Sequence, residues 1–269
     1  MENEYTKSII KKWYTRLNFP KDTEAAFLCA LDNCPIDSNM TIERYNTSCD
    51  DGKINLLYFL FFCEELEKEY KKSGIPERVM LDTLGDIAIW TRVWSELMGE
   101  LYLGELNWLK RHLEMKLFRL GRLQFCISPS EFDIDVKEIK KGDKIIEIHI
   151  PEGEPLSPQE CINSIDEARR FFSRFFPEYE YKLFTCHSWL LDRSLSEFLS
   201  PSSNILQFAD LFRVVRRDTS DALLGYIFKW GIKRDELGNC PARSSFAEKI
   251  KAAALSGRDF YECLGYIEK

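Results

Sequence analysis

A basic excess, a long apolar run, paired cysteines and more than a few histidines are all missing from this sequence. The net charge is −7, and neither the part before Leu117 nor the part after it is basic. A chain that tracks a nucleic-acid backbone needs a basic face, so nucleic acid is not expected as a partner. The most apolar stretch, "LLYFLFFC", covers only residues 56–63. A helix that spans a bilayer needs about 20 apolar residues. This stretch therefore reads as a buried helix segment, and no membrane partner is expected. The first residues, MENEYTKSIIKKWY, mix charges and lack a continuous apolar core, so no secretory leader is expected and a cytoplasmic location is. The nine cysteines include no CxxC pair, and a scattered odd set of this kind reads as free thiols in a reducing compartment. With only three histidines beside them, no closed tetrahedral metal set is expected. Internal repeats and low-complexity segments are also missing.

What is present is ordinary globular material, 45% hydrophobic and 30% charged. At 269 residues the chain can form two domains of the usual ~100–200 residues. The first part reads as helices over 7–17, from Pro20 to the residues before Asn33, over 54–70, over 76–101 and over 107–116. The fourth is the clearest. Met80, Leu84, Ile87, Trp90, Trp94, Leu97 and Leu101 recur every three or four residues, which is one helix face. Gly99 and Gly104 then interrupt the pattern.

The character changes near Leu117, where β-type runs begin. Strands are expected over 120–127, 144–150, 182–189, 222–228 and 259–267, with helices between some of them. Ser157-Pro158-Gln159-Glu160 is a strong helix start, with a capping serine, proline at the first position and glutamate at the third. Behind it Cys161, Ile165, Ala168, Phe172 and Phe175 share a face, and Pro177 stops the helix. Ser194–Glu197 and Ser245–Glu248 have the same capping pattern. Strand 144–150, loop, helix 158–176 and strand 182–189 make a βαβ unit. Its helix N-terminus presents unpaired N–H groups to whatever lies above the strand end.

The second strand of this unit holds "FTCHSWLLD", with a thiol, an imidazole, a hydroxyl and a carboxylate close together. Successive strand side chains point to opposite faces. Cys186 and Ser188 therefore share one face and His187 takes the other, which makes a Cys186–His187 dyad geometrically poor. On the first strand, Ile145, Glu147 and His149 share a face, with Glu147 and His149 about 6.6 Å apart along the backbone.

Several phrases occur together here: "FRLGRLQF" (118–125), "IEIHIPEGEPLSPQEC" (146–161), "SIDEARRFFSRFFPE" (164–178), "CHSWLLD" (186–192) and "SNILQF" (203–208). They resemble bacterial acyltransferase-like proteins in which a helical N-acyltransferase N-terminal domain precedes a GNAT-like C-terminal domain. The resemblance covers essentially the whole chain. It implies a helical domain over 1–117 and a GNAT-like mixed α/β domain over 118–269. It also implies acyl transfer from acyl-CoA, or acetyl-CoA, to a small-molecule or peptide amine by direct attack in a ternary complex, with no metal. The oligomeric state is open.

In that superfamily the strand–loop–helix unit holds the CoA pyrophosphate, and the pantetheine arm enters a gap where the next strand splays away. The resemblance thus places Ile150, Pro151, Glu152 and Gly153 on the loop, and Gln159 and Glu160 at the helix start, against the cofactor. Glu147 or His149 becomes the base for the attacking amine. Ser188 is a further candidate catalytic residue and Cys186 a weaker one. Tyr226, Tyr261 and Tyr266 are candidate acids for the leaving thiolate. One departure stands out. The superfamily's loop carries Arg/Gln-x-x-Gly-x-Gly/Ala, whereas residues 151–156 hold one glycine and two carboxylates. Glu152 and Glu154 repel a pyrophosphate unless they turn away. The alternative reading is therefore a GNAT-fold binding protein that has lost CoA.

Overall fold

The computed structural model describes residues 2–45, 50–135 and 138–269. They form two compact units. Unit 1 comprises Met1–Cys126, Ile150–Glu152 and Arg170–Pro177; unit 2 comprises Ile127–His149, Gly153–Arg169 and Glu178–Lys269.

Unit 1 contains α1 (Glu2–Arg16), α2 (Glu24–Asn33), α3 (Gly52–Lys72), α4 (Glu77–Leu84), α5 (Asp86–Met98), α6 (Leu106–Leu113), β1 (Leu117–Leu120) and the start of β2 (Leu123–Pro129). The apolar run at 56–63 lies in α3, where all but Phe61 is buried. No helix among the described residues is long and apolar enough to cross a membrane. Asp51 opens α3 by accepting from the N–H groups of Lys53 and Ile54. The helix expected over 76–101 is two, α4 and α5, interrupted at Gly85, whose missing side chain lowers helix preference. It ends at Met98, not Leu101, because Gly99 takes the left-handed conformation (φ 75°) that closes a helix. The strand expected over 120–127 is a hairpin, with Gly121 (φ 69°) in its turn between β1 and β2.

Glu67 of α3 meets Lys12 and Arg16 of α1 at 3.2 and 3.0 Å. Burial opposes its ionisation. The donors Lys71, Arg16 and Lys12 outweigh that and bring the carboxyl down to about 2. The contribution of this group to stability is complete above the ordinary glutamate value and is lost as pH falls toward 2. Urea midpoints at pH 6 and pH 3 should therefore differ less in Glu67→Gln than in the wild type.

Unit 2 contains the rest of β2, β3 (Lys144–His149), the first part of α7 (Pro158–Phe175), β4 (Leu183–Ser188), α8 (Asn204–Ala209), β5 (Arg213–Thr219), α9 (Ala222–Ile227), α10 (Ser245–Leu255) and β6 (Tyr261–Glu268). The strand order is β1-β2-β3-β4-β6-β5. β3 and β4 are parallel, with α7 as their crossover, and β6 pairs antiparallel with both β4 and β5. The expected α7 stripe is present, with Cys161, Ile165, Ala168 and Phe172 buried.

Three expectations are corrected here. Residues 222–227 are helix α9, not a strand: Ser220 Oγ accepts from Ala222 N, and the Asp221 carbonyl accepts from Leu224 N, which starts a helical turn. The strand at this end of the chain is instead β5, with solvent on both faces. The capping patterns also shift. Asp192 caps the 3₁₀ turn Arg193–Glu197, and Ser244, one residue earlier than expected, caps α10 by accepting from Ala247 N.

Candidate active site

β3 and β4 pair through Ile146 with Phe184 and Glu147 with Thr185, and the register stops there. β3 runs on to His149 and β4 to Ser188, and β4 keeps its partners on β6 as far as Ser188 with Cys263. The parallel ladder thus ends before its two strands do. Cross-strand partners share a face. Glu147, Thr185 and Tyr266 therefore form one row on the sheet, and His187 and Leu264 form another.

At this end of the ladder Glu147 and His149 come together. Their carboxylate and imidazole, Oε2 and Nε2, are 3.4 Å apart, with side chains 20% and 31% exposed. Strand alternation puts them on the same face, and the side chains lean toward each other over the roughly 6.6 Å backbone spacing. A carboxylate beside an imidazole orients the ring, which is what a base accepting an amine proton requires.

"FTCHSWLLD" divides differently. Cys186 is buried, and burial followed by the Glu147 charge pushes its thiol far up, away from the reactive thiolate. Ser188 Oγ accepts from Leu190 N at 3.1 Å and so caps the turn Trp189–Leu191. Asp192 is buried and accepts from Arg217 Nε and Nη2 at 3.2 and 3.1 Å and from the Ser194 hydroxyl at 2.6 Å. Arg217 in turn lies 3.4 Å over the Tyr261 ring. His187 alone among these residues is exposed, with its ring 5.7 Å from that of Phe132. Replacing Asp192 by Ala leaves Arg217 and the turn without their buried acceptor, and stability should fall by about 2 kcal/mol or more in urea titration.

On the loop after β3, the Pro151 carbonyl accepts from Arg122 Nη1 at 3.0 Å. Glu152 is paired with Arg92 Nη2 at 3.0 Å. One of the two carboxylates that argued against a phosphate ligand is thus neutralised by an arginine that sequence spacing, 60 residues away, could not reveal. Gly153 has φ +118° and open space around its Cα, so only its backbone freedom is in use. α7 closes its first turn through Cys161 N to the Ser157 carbonyl. Gln159 bonds Asn163 on the helix surface, and the Glu160 carbonyl accepts from the buried Ser164. Ile150 belongs to unit 1 with Pro151 and Glu152.

A second polar cluster, in unit 1, went unread in the sequence. Asp86 and His112 are buried, with Oδ2 and Nε2 3.1 Å apart, and Trp108 Nε1 donates to the same carboxylate oxygen at 3.0 Å. Neither ring nitrogen of His112 is aimed well enough for a hydrogen bond, so the contact is one of charge when the imidazole is protonated. No group of three or more His, Cys, Asp or Glu side chains among the described residues is arranged to hold a metal ion. Eight cysteines are described and all are free.

The description "GNAT-like C-terminal domain" matches residues 117–267. The chain belongs to this family. Ahead of the GNAT-like part, residues 22–115 match the "N-acyltransferase N-terminal domain". No curated protein matches the chain. Among solved structures, similar folds include an acyltransferase in complex with decanoyl-CoA and teicoplanin, at 23% identity and TM-score 0.79, covering 96% of this chain and 87% of that one. An acyltransferase with decanoyl-CoA alone shows 24% identity, TM-score 0.79 and coverage of 96% and 86%. A mutant acyltransferase with octanoyl-CoA shows 23% identity, TM-score 0.78 and coverage of 96% and 87%. At these identities the likeness is one of fold. The helical N-terminal region followed by a mixed GNAT-like sheet agrees with the family's architecture.

Proposed function

We propose that this GNAT-like protein transfers an acyl group from acyl-CoA to an amine by direct attack. The observation that carries the reading is the β3–β4 ladder, which ends at Glu147 and Thr185 with the Glu147–His149 pair standing beside that end. His149 takes the amine proton as nitrogen attacks the thioester carbonyl, and Glu147 steadies the imidazolium. The acyl-pantetheine arm lies along the end of β4 beyond its last pairing with β3. Its phosphates rest near Gly153 and the first turn of α7, where Gln159 and Glu160 sit and where helix N–H groups favour an anion. Ile150, Pro151 and Glu152 shape the loop that leads there. Ser188 lines the same strand end, its hydroxyl already capping a turn, and Cys186 supplies packing. The domain division we adopt is 1–117 and 118–269, supported by the two family matches.

Fold relatives that hold octanoyl-CoA, decanoyl-CoA and a glycopeptide favour a medium-length acyl chain and a small-molecule or peptide acceptor. The binding-only alternative rests on Glu152 and Glu154, and the Arg92 pair removes half of its basis. Calorimetric titration with acetyl-, octanoyl- and decanoyl-CoA separates the two readings. Heat is expected with at least one of them, and silence with all three would end the acyltransferase reading. Gly153→Ala, which strains a left-handed backbone without a clash, should weaken acyl-CoA binding several-fold while the chain stays folded.

A further inference from the structure

An acyl transfer needs a second proton event, because the departing thiolate must be protonated. The three tyrosines that the sequence offered for this are buried or engaged by other side chains. Tyr266 is 3% exposed, and its hydroxyl is engaged by Arg213. Tyr261 lies under the Arg217 guanidinium. Tyr226 is on α9, edge-to-face with Trp230 at 4.5 Å and near Trp189 at 6.1 Å.

The sheet register points to a different group. Extending the offset of Ile146 with Phe184 and Glu147 with Thr185 sets His149 level with His187, across the place where the ladder stops. On the other side of β4, His187 pairs with Leu264, which pairs with Arg216 of β5. The ring contacts agree with this row independently. Phe132 lies 5.7 Å from the His187 ring and 4.5 Å from the Arg216 guanidinium, so His187, Phe132 and Arg216 occupy one face. Phe132 braces the imidazole and separates it from Arg216, whose own charge is paired with Asp218 at 2.6 Å. Besides Phe132 and the paired Arg216 that contacts it, the extended register puts His149 of β3 in the row of His187. Unlike its neighbours Cys186, Ser188 and Asp192, His187 is exposed, with the Phe132 ring against it.

We propose that His187 is the general acid of the transfer. This rests on the acyltransferase reading above. The acceptor nitrogen forms a bond to the thioester carbonyl carbon, and its proton passes to His149. The carbon–sulfur bond breaks, and the sulfur leaves with the bonding electrons and takes a proton from the His187 imidazolium. One proton is gained at β3 and one is lost at β4, and exchange through solvent restores both.

The test uses the full chain, hydroxylamine as the amine, and two octanoyl thioesters, octanoyl-CoA and an octanoyl aryl thioester whose leaving group is stable as a thiolate. His187 is exposed, so His187→Gln should fold normally. The variant is expected to lose about 100-fold in kcat with octanoyl-CoA while KM and calorimetric affinity hold. It should run near the wild-type rate with the aryl thioester, and the alkaline fall in the pH–rate profile should disappear. Equal loss on both thioesters, or no loss on octanoyl-CoA, would overturn the assignment. A wild-type chain that binds and turns over neither thioester would instead bring down the acyltransferase reading itself.

Discussion

Glu147→Gln and His149→Gln are each expected to lower acyl transfer by about 10²–10⁴-fold in kcat, with acyl-CoA affinity unchanged. Each removes one half of the proton-accepting pair. Without His149 there is no imidazole at the ladder end on the β3 side. Without the Glu147 carboxylate, 3.4 Å away, the ring loses its orienting partner. Both side chains are partly exposed, so neither change empties a core, and urea midpoints should move little. The double variant should be no worse than the poorer single one, because the two residues act as one unit. If the losses multiply instead, the pair does not work together. If neither single variant slows transfer, the base lies elsewhere.

The second large effect concerns stability. Asp86→Ala is expected to cost about 3 kcal/mol or more, read as the urea midpoint with circular dichroism. Burial opposes ionisation of Asp86, but the neighbouring His112 imidazole and the Trp108 donor bring its carboxyl below the ordinary value. Removing the carboxylate leaves the buried His112 and the Trp108 N–H without their partner. Since the native value is lowered, this support is complete above the ordinary aspartate range and fades as pH falls through the lowered one. Replacing both Asp86 and His112 by Leu should cost less than the sum of the single changes, because no charge or donor is then stranded on either side. A simple sum would show that the two groups are not coupled.

The elements with a buried stripe were legible in the sequence. The α7 stripe and the alternation along β3 fixed which residues face inward, and alternation alone put Glu147 with His149 and set His187 apart from Cys186. β5 was illegible for a physical reason. "RVVRRDT" is an exposed edge strand, so neither face needs apolar residues and no period arises. Residues 222–228 misled in the opposite way: a short apolar run looks alike in a buried strand and in a single helical turn. The ion pairs Arg92 with Glu152 and Asp86 with His112 are contacts between elements, and local patterning carries no trace of them. The end of the β3–β4 register is likewise a property of two strands together. It makes "FTCHSWLLD" the neighbour of a ladder end rather than a nucleophile cluster, with His187 as the group we propose for chemistry there.

The central claim is that an acyl-CoA thioester lies where the β3–β4 ladder ends. A crystal structure of the chain with a non-hydrolysable decanoyl-CoA analogue tests this most directly. The thioester position is expected between the His149 and His187 rings, with the pantetheine running along Cys186–Ser188. An analogue seated on any other surface, with β3 and β4 closed against each other beyond Glu147 and Thr185, would contradict it.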